Sequence, residues 1–115
     1  MTDTTLTSSR TRLPGLIVSI VSEGVATVVV LRGEADAASL PAFSQALDRI
    51  ISVHQGPVIV DLAETRFIDS ATVRALSRAA ATLDRAGRPL SIRAPSRTAA
   101  VLLDLIGISP PSAIR

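Results

Sequence analysis

The order of residue types over residues 58–76 constrains the fold of this 115-residue chain more than any other part of its sequence. The apolar run 58–62 is short and nearly continuous, which is typical of a strand buried within a sheet. After a short predicted loop, Asp69 and Ser70 begin a segment whose apolar residues recur at helical spacing. This order predicts a polar cluster at a strand-to-helix turn, where the first backbone N–H groups of the helix lack intrahelical partners.

Turn signals and hydrophobic spacing divide the rest of the chain into further strands and helices. The N-terminus is rich in Thr and Ser, so residues 1–14 are predicted to form a flexible tail, followed by one domain over 15–115. The predicted strands are 16–20, 25–31, 58–62 and 90–93. The predicted helices begin at Ser39, Ser70 and Ser96, and they end before Gly56, at Ala86 and before Gly107.

This element order predicts an α/β fold. The strand–helix–strand unit over 58–93 requires a parallel pair with a right-handed crossover, whereas the first two strands form an antiparallel hairpin. The expected architecture is a mixed sheet of four or five strands packed with about three to four helices, with strand 58–62 at its centre. Phe67 and Ile68 are expected to pack beneath the loop that precedes the second helix.

The composition limits the chemistry that the chain can perform. It has no Cys, no Lys and a single His, so it lacks a cysteine nucleophile and has almost no material for a zinc site or a His-based triad. A net charge of +2 and two aromatic residues fall short of the dense basic patch and stacking residues of nucleic-acid binders. No apolar run is long enough to span a membrane, and no signal peptide is evident. We therefore expect a non-catalytic cytoplasmic protein with no cofactor, no metal and no nucleic-acid partner.

Two motifs in the chain resemble those of STAS domains, the fold of bacterial anti-sigma factor antagonists. Residues 31–36, Leu-Arg-Gly-Glu-Ala-Asp, resemble the Leu-x-Gly-Glu-Leu-Asp that precedes the first helix in that family. Residues 61–76 resemble its Asp-Leu-x-x-Val-x-Phe-Met-Asp-Ser-Ser-Gly-Leu turn. The resemblance extends over residues 16–108 and implies a STAS-like fold.

The resemblance also implies a function. In this family the domain is a regulatory module that binds an anti-sigma factor, which is a histidine-kinase-like ATPase, and so releases a sigma factor. The alternative is a STAS module that binds a small ligand, pairs as a homodimer, or joins other STAS proteins in a signalling assembly. Binding to the anti-sigma factors of the host would distinguish these functions.

The same resemblance implies a partner-binding site at the turn. A partner kinase phosphorylates the second serine of the family's Ser-Ser pair, and here that position is Ala71, so the usual switch is not expected. The hydroxyls of Ser70 and Thr72 point about 100° away from that position on a helix, which makes them weak candidates for phosphorylation. The predicted partner-binding residues are Asp36, Asp69, Ser70, Ala71, Thr72 and Arg74.

Several of these residues also have a local structural explanation. The sequence leaves open whether they bind a partner or serve only the local structure. Asp69 and Ser70 are residue types that commonly cap helices, and Asp36 suits a turn. The second helix also carries a basic stripe of Arg74, Arg78 and Arg85. Such a stripe either meets an acidic partner or forms a solvated face.

Overall fold

A computed structural model of the protein describes residues 9–94 together with residues 97, 100 and 101. The described part of the chain forms one five-stranded sheet and two helices. The strands are β1 (Ser9–Leu13), β2 (Leu16–Glu23), β3 (Ala26–Ala35), β4 (Val58–Ile68) and β5 (Leu90–Arg93). The helices are α1 (Leu40–Val53) and α2 (Ser70–Arg85). The prediction of an α/β fold with a mixed sheet is confirmed.

The sheet changes from antiparallel to parallel pairing at β3. Strands β1, β2 and β3 form an antiparallel meander, whereas β3, β4 and β5 run parallel and are joined through α1 and α2. Crossovers between parallel strands are right-handed in nearly all proteins, so both helices pack on the same face of the sheet. The C-terminal ends of β3 and β4 therefore lie side by side at one end of the sheet.

The core lies between this helical layer and the inward-facing side chains of the sheet. Its helical members recur at steps of three and four, as the sequence predicts. They are Phe43, Leu47 and Ile50 of α1 with Val73, Leu76 and Leu83 of α2. The sheet contributes Leu16, Val18, Val29, Leu31, Val58, Val60, Leu62 and Ile92. Each fully buried aliphatic side chain stabilises the fold by roughly 1.5–3 kcal/mol.

An arginine from a distant part of the chain holds the C-terminal end of α1. Arg88, in the turn between α2 and β5, donates from Nε to the carbonyl oxygen of Gly56 at 2.9 Å. Its Nη1 donates to the carbonyl of Ile51 at 2.9 Å, and its Nη2 to that of His54 at 2.7 Å. The last carbonyl groups of a helix lack intrahelical partners, so the guanidinium satisfies them and fixes α1 to this turn.

Two sequence-based predictions about the sheet are wrong. Residues 9–13, predicted to belong to the flexible tail, form β1, which pairs with β2 along its whole length. Most side chains of β1 are exposed. Residues 9–13 therefore lack the alternating apolar pattern by which a strand is predicted, and for this reason the pairing of β1 with β2 was not predicted. Because β1 extends the sheet beyond β2, the central strand is β3, and the strand predicted at the centre lies fourth.

Strand β4 is also longer than predicted, since it continues through the expected loop to Ile68. Strand β3 runs beside it as far as Ala35, with two register shifts between Val30 and Glu34. Such shifts are β-bulges, which bend a strand and change the direction of its side chains. The bulges break the two-residue alternation by which a strand is predicted, and for this reason the sequence suggested a loop.

The predicted third helix, 96–106, lies largely outside the described residues. Arg97, Ala100 and Val101 are helical. The described residues therefore contain two complete helices, fewer than the three to four predicted. Residues 1–8 of the predicted tail also lie outside the described part of the chain.

Candidate functional site

The two sequence motifs meet where β3 and β4 end. Ala35 and Ile68 are register partners in this parallel pair, and each strand then leads toward a helix. The backbone N–H of Asp69 donates a hydrogen bond to the carbonyl oxygen of Ala35 at 3.0 Å. The 33–36 loop and the 66–74 turn therefore lie at the same end of the sheet.

Asp69 is the N-cap of α2. Its backbone is extended, with φ −91° and ψ 170°, and its Oδ1 accepts a hydrogen bond from the backbone N–H of Thr72 at 2.8 Å. Its carbonyl oxygen accepts the first intrahelical bond, from the N–H of Val73 at 3.0 Å. A carboxylate at this position satisfies an otherwise unpaired donor and interacts favourably with the helix dipole. Asp69 is half-buried and fixes the direction in which α2 begins.

Asp36 organises the turn that leads from β3 into α1. Its Oδ1 accepts a hydrogen bond from the backbone N–H of Ala38 at 3.0 Å. The hydroxyl of Ser39, which is fully buried, donates to the carbonyl of Asp36 at 3.2 Å and accepts from its N–H at 3.2 Å. Both aspartates therefore use a carboxylate oxygen in local backbone hydrogen bonds. Asp36 therefore stabilises a turn and Asp69 caps a helix, as the local structural explanation predicts.

The first turn of α2 brings three of the predicted residues to the surface. Ser70 and Arg74 are exposed, and Ala71 is half-buried at the second helical position. Successive helical side chains differ in direction by about 100°, so Ser70 and Ala71 present different surfaces. The accessible rim of the site thus combines small side chains with one guanidinium.

Thr72 is the predicted site residue that the fold does not bring to the surface. It has 0% of its surface exposed, and its Oγ1 lies 3.4 Å from the carbonyl oxygen of Ala35. The side chain therefore fills the space between α2 and the end of β3. At this position Thr72 does not contact a partner directly, and a kinase has no access to its hydroxyl in the folded domain.

Phe67 lies beside the site and was not predicted to be part of it. It is 52% exposed, whereas the next residue, Ile68, is buried, so the prediction that both pack beneath the loop is correct only for Ile68. Neighbouring strand residues point to opposite faces, and Phe67 faces away from the core beside its register partner Glu34. Because the bulges break the alternation of side chains along β4, no local sequence signal reveals this exposure.

The chemistry of the site is that of hydrogen bonding and surface contact. The described residues contain no group of three or more His, Cys, Asp or Glu side chains that could hold a metal ion. In the same part of the chain, no helix is long and apolar enough to cross a membrane. A carboxylate with a clearly lowered pKa, that of Glu23, lies at the far end of β2, where Arg93 donates hydrogen bonds to it.

Comparison with known proteins identifies the family. Residues 18–110 match the family model described as "Mlab, STAS domain". The chain belongs to the STAS family. STAS domains are generally non-catalytic regulatory modules. No curated protein was matched by sequence.

Solved structures show the same fold at low sequence identity. An anti-sigma factor antagonist from Mycobacterium paratuberculosis superposes with a TM-score of 0.68 at 19% identity, over 78% of this chain and 79% of that one. The anti-sigma factor antagonist SpoIIAA in its unphosphorylated form gives 0.65 at 15% identity, over 90% and 86%. A chain of the stressosome, described as a signal integration and transduction hub, gives 0.57 at 17% identity, over 79% and 84%. At these identities the likeness establishes the fold alone.

Proposed function

We propose that this STAS domain is an anti-sigma factor antagonist. It binds an anti-sigma factor of the histidine-kinase-like ATPase type in the cytoplasm, without catalysing a reaction, and so releases a sigma factor. The observation that carries the proposal is the hydrogen bond between the Asp69 N–H and the Ala35 carbonyl, which joins the two family motifs at one end of the sheet. The likeness to anti-sigma factor antagonists supports the same conclusion.

The proposed contact surface consists of Asp36, Phe67, Asp69, Ser70, Ala71 and Arg74. Small side chains at the first turn of α2 allow the partner to approach closely. In each of the two aspartates, Oδ1 accepts a backbone hydrogen bond, and the second carboxylate oxygen can accept a hydrogen bond from the partner. Phe67 adds an exposed aromatic ring, the kind of residue that often contributes strongly to binding. Thr72 supports this surface from beneath, since its side chain is buried.

The proposal includes an absence of phosphorylation control at the family position. Ala71 has no hydroxyl, and the buried Thr72 does not replace it. Ser70 is exposed but points in a different direction, as the helical geometry requires. Binding is therefore set by the concentrations of the proteins and is not ended by a phosphate at this turn.

The test is direct binding to the histidine-kinase-like anti-sigma factors of the host, measured by calorimetry. Ala71→Glu places a carboxylate in the proposed interface, where desolvating an unpaired charge is costly, and should weaken binding at least tenfold. The matched control is Ala81→Glu, the same substitution at an exposed position further along α2. Equal affinities for Ala71→Glu, Ala81→Glu and wild type would place the interface elsewhere.

Assembly with other STAS proteins is the second candidate function, and the likeness to the stressosome chain favours it. Light scattering of the purified protein, alone and mixed with other STAS proteins of the host, would test this function. A stable complex of that kind, together with no affinity for any anti-sigma factor, would replace the first proposal by the second.

A further inference from the structure

A groove rich in arginine lies on the helix-free face of the sheet. Its volume is about 600 Å³, and its charged lining residues are Arg12, Arg32, Arg66 and Glu64. We call it the arginine groove. Four residues that line the groove belong to a single row across the sheet, because Arg12 pairs with Ile17, Ile17 with Arg32, and Arg32 with Glu64. The residues on either side of Ile17, Leu16 and Val18, are buried in the core, so the row faces away from the helices.

The charge of the arginine groove is positive and only partly compensated. Arg32 Nε lies 2.6 Å from Glu64 Oε1, which neutralises one guanidinium while leaving other N–H donors on the same group. Arg66 lies 4.0 Å from Glu34, at the outer limit of an ion pair, and 76% of its side chain is exposed. Arg12 forms no ion pair with any described residue and is exposed. Among the described residues, the guanidinium groups of Arg12 and Arg66 therefore keep donors for an anionic ligand on two sides of the groove.

Backbone packing makes one wall of the groove rigid. The N–H of Glu34 donates to the carbonyl oxygen of Gly15 at 2.8 Å, which ties the β1–β2 turn to β3. Gly33 has φ +112°, and a Cβ there would lie 2.5 Å from the Gly15 oxygen. Only glycine allows this approach, so the turn sits directly against the floor of the groove. A preorganised wall lowers the conformational entropy that the protein loses when a ligand binds.

We propose that the arginine groove binds an acidic, extended peptide segment of a partner protein. Guanidinium groups form paired hydrogen bonds with carboxylates, which suits Asp and Glu side chains. Two strand spacings separate Arg12 from Arg32 by roughly 9.6 Å, a distance that about three residues of extended peptide span. Ile17 lies between them and offers an apolar contact for a side chain of the segment.

The shape and charge of the groove favour a peptide over other polyanions. Anionic membranes and nucleic acids are typically bound by denser clusters of basic residues, and single-stranded nucleic acids also by stacking aromatic side chains. Here the cationic area is concave, and Glu64 lies within it. Arg66 of the groove adjoins Phe67 of the proposed contact surface, but the groove lies on the opposite face of the sheet from α2 and does not depend on the Ala71 site.

The test uses a fluorescent ten-residue peptide of alternating Asp and Leu, with binding followed by anisotropy at low salt. The double variant Arg12→Glu/Arg66→Glu should weaken binding at least tenfold. The matched control, Arg49→Glu/Arg78→Glu, changes the net charge equally on the two helices and should remain within twofold of wild type. Ala71→Glu should leave peptide binding unchanged, so failure of this proposal can be distinguished from failure of the proposed function.

Three results would overturn the inference. Failure of the wild-type protein to bind the peptide would exclude it, and an equal loss in both double variants would reduce the effect to bulk charge. Stronger binding to phosphatidylglycerol vesicles or to polyuridylate, abolished by the groove variant alone, would assign the groove to a different polyanion. Circular dichroism of each variant confirms that it is folded before binding is measured.

Discussion

The carbonyl oxygen of Ala35 accepts hydrogen bonds from two groups of α2 and its cap, and the second donor is the hydroxyl of Thr72 at 3.4 Å. The first donor, the N–H of Asp69, is closer, at 3.0 Å. A distance of 3.4 Å is long for a hydroxyl donor, for which about 2.7–2.8 Å is typical, so this bond is weak. The main contribution of Thr72 is therefore the space that it fills between α2 and β3.

This relationship predicts a difference between two substitutions of Thr72. Thr72→Val keeps the branched shape and loses only the weak bond, so the free energy of unfolding should fall by less than about 1 kcal/mol. Thr72→Gly, which restores the family residue, removes buried atoms and helix propensity and should cost about 1–3 kcal/mol. Urea unfolding measures both values. A larger loss for Thr72→Val than for Thr72→Gly would show that the hydroxyl, and not the volume, stabilises this contact.

Phosphorylation should depend on a hydroxyl at position 71. We expect the wild-type protein to remain unmodified after incubation with ATP and an anti-sigma kinase that phosphorylates typical family members. Ala71→Ser should gain one phosphate, since the half-buried position 71 is accessible in a way that Thr72 is not. Intact mass spectrometry gives the result, with Ala71→Ser/Ser70→Ala as the control for site assignment. Stoichiometric phosphate on wild-type Ser70 would contradict the argument from helical direction.

Removal of Phe67 should affect binding more than stability. The ring is 52% exposed, so Phe67→Ala removes little core packing, but an aromatic anchor of an interface often contributes more than about 1 kcal/mol. We expect partner affinity to fall about tenfold or more, with a nearly unchanged unfolding midpoint. Val25→Ala, at an exposed apolar residue in the turn at the other end of β3, is the matched control. A large loss of stability without loss of affinity would assign Phe67 to folding alone.

Arg88 should be important for stability although it is only half-buried. Arg88→Met keeps most of the side-chain volume but leaves three carbonyl oxygens at the end of α1 without their donor, so a loss of about 1–3 kcal/mol is expected. Arg88→Lys keeps the charge without the planar fork and should give an intermediate value. Arg85→Met, at an exposed arginine nearby, should change stability little. Chemical denaturation compares the three, and similar values for all would show that solvent satisfies these carbonyls equally well.

The ion pair between Glu23 and Arg93 predicts a small dependence of stability on pH. The hydrogen bond from Arg93, with the charge of the same group, lowers the pKa of Glu23 below its ordinary value of 4.5. A carboxylate with a lowered pKa in the folded state stabilises the fold above its unfolded pKa, and this stabilisation is lost as the pH falls through the folded pKa. Wild type should therefore exceed Glu23→Gln in stability at pH 7, and the difference should disappear in strong acid. An unchanged difference at both pH values would exclude a role for ionisation.

The sequence alone was enough to predict α1, α2 and the mixed sheet on which they pack. The four-residue and three-residue steps of Phe43, Leu47 and Ile50 depend only on local helical geometry, and these residues are buried. The cap at Asp69 is equally local, since its carboxylate reaches a backbone N–H three residues away. The connection rule that predicts a parallel pair over 58–93 applies equally to β3 and β4, which are also joined through a helix, and their parallel order places the Asp36 loop beside α2.

What only the tertiary structure decided arises from contacts between distant parts of the chain. Strand β1 forms because β2 offers an unpaired edge, not because its own residues alternate. The bulges in β4 are set by pairing with β3, and they turn Phe67 outward while keeping Ile68 in the core. The burial of Thr72 likewise depends on how α2 meets the end of β3. The propensity to form a helix or a strand depends on neighbouring residues in the sequence. The exposure of a side chain depends instead on which distant part of the chain packs against it, and that packing is fixed only when the whole sheet has formed.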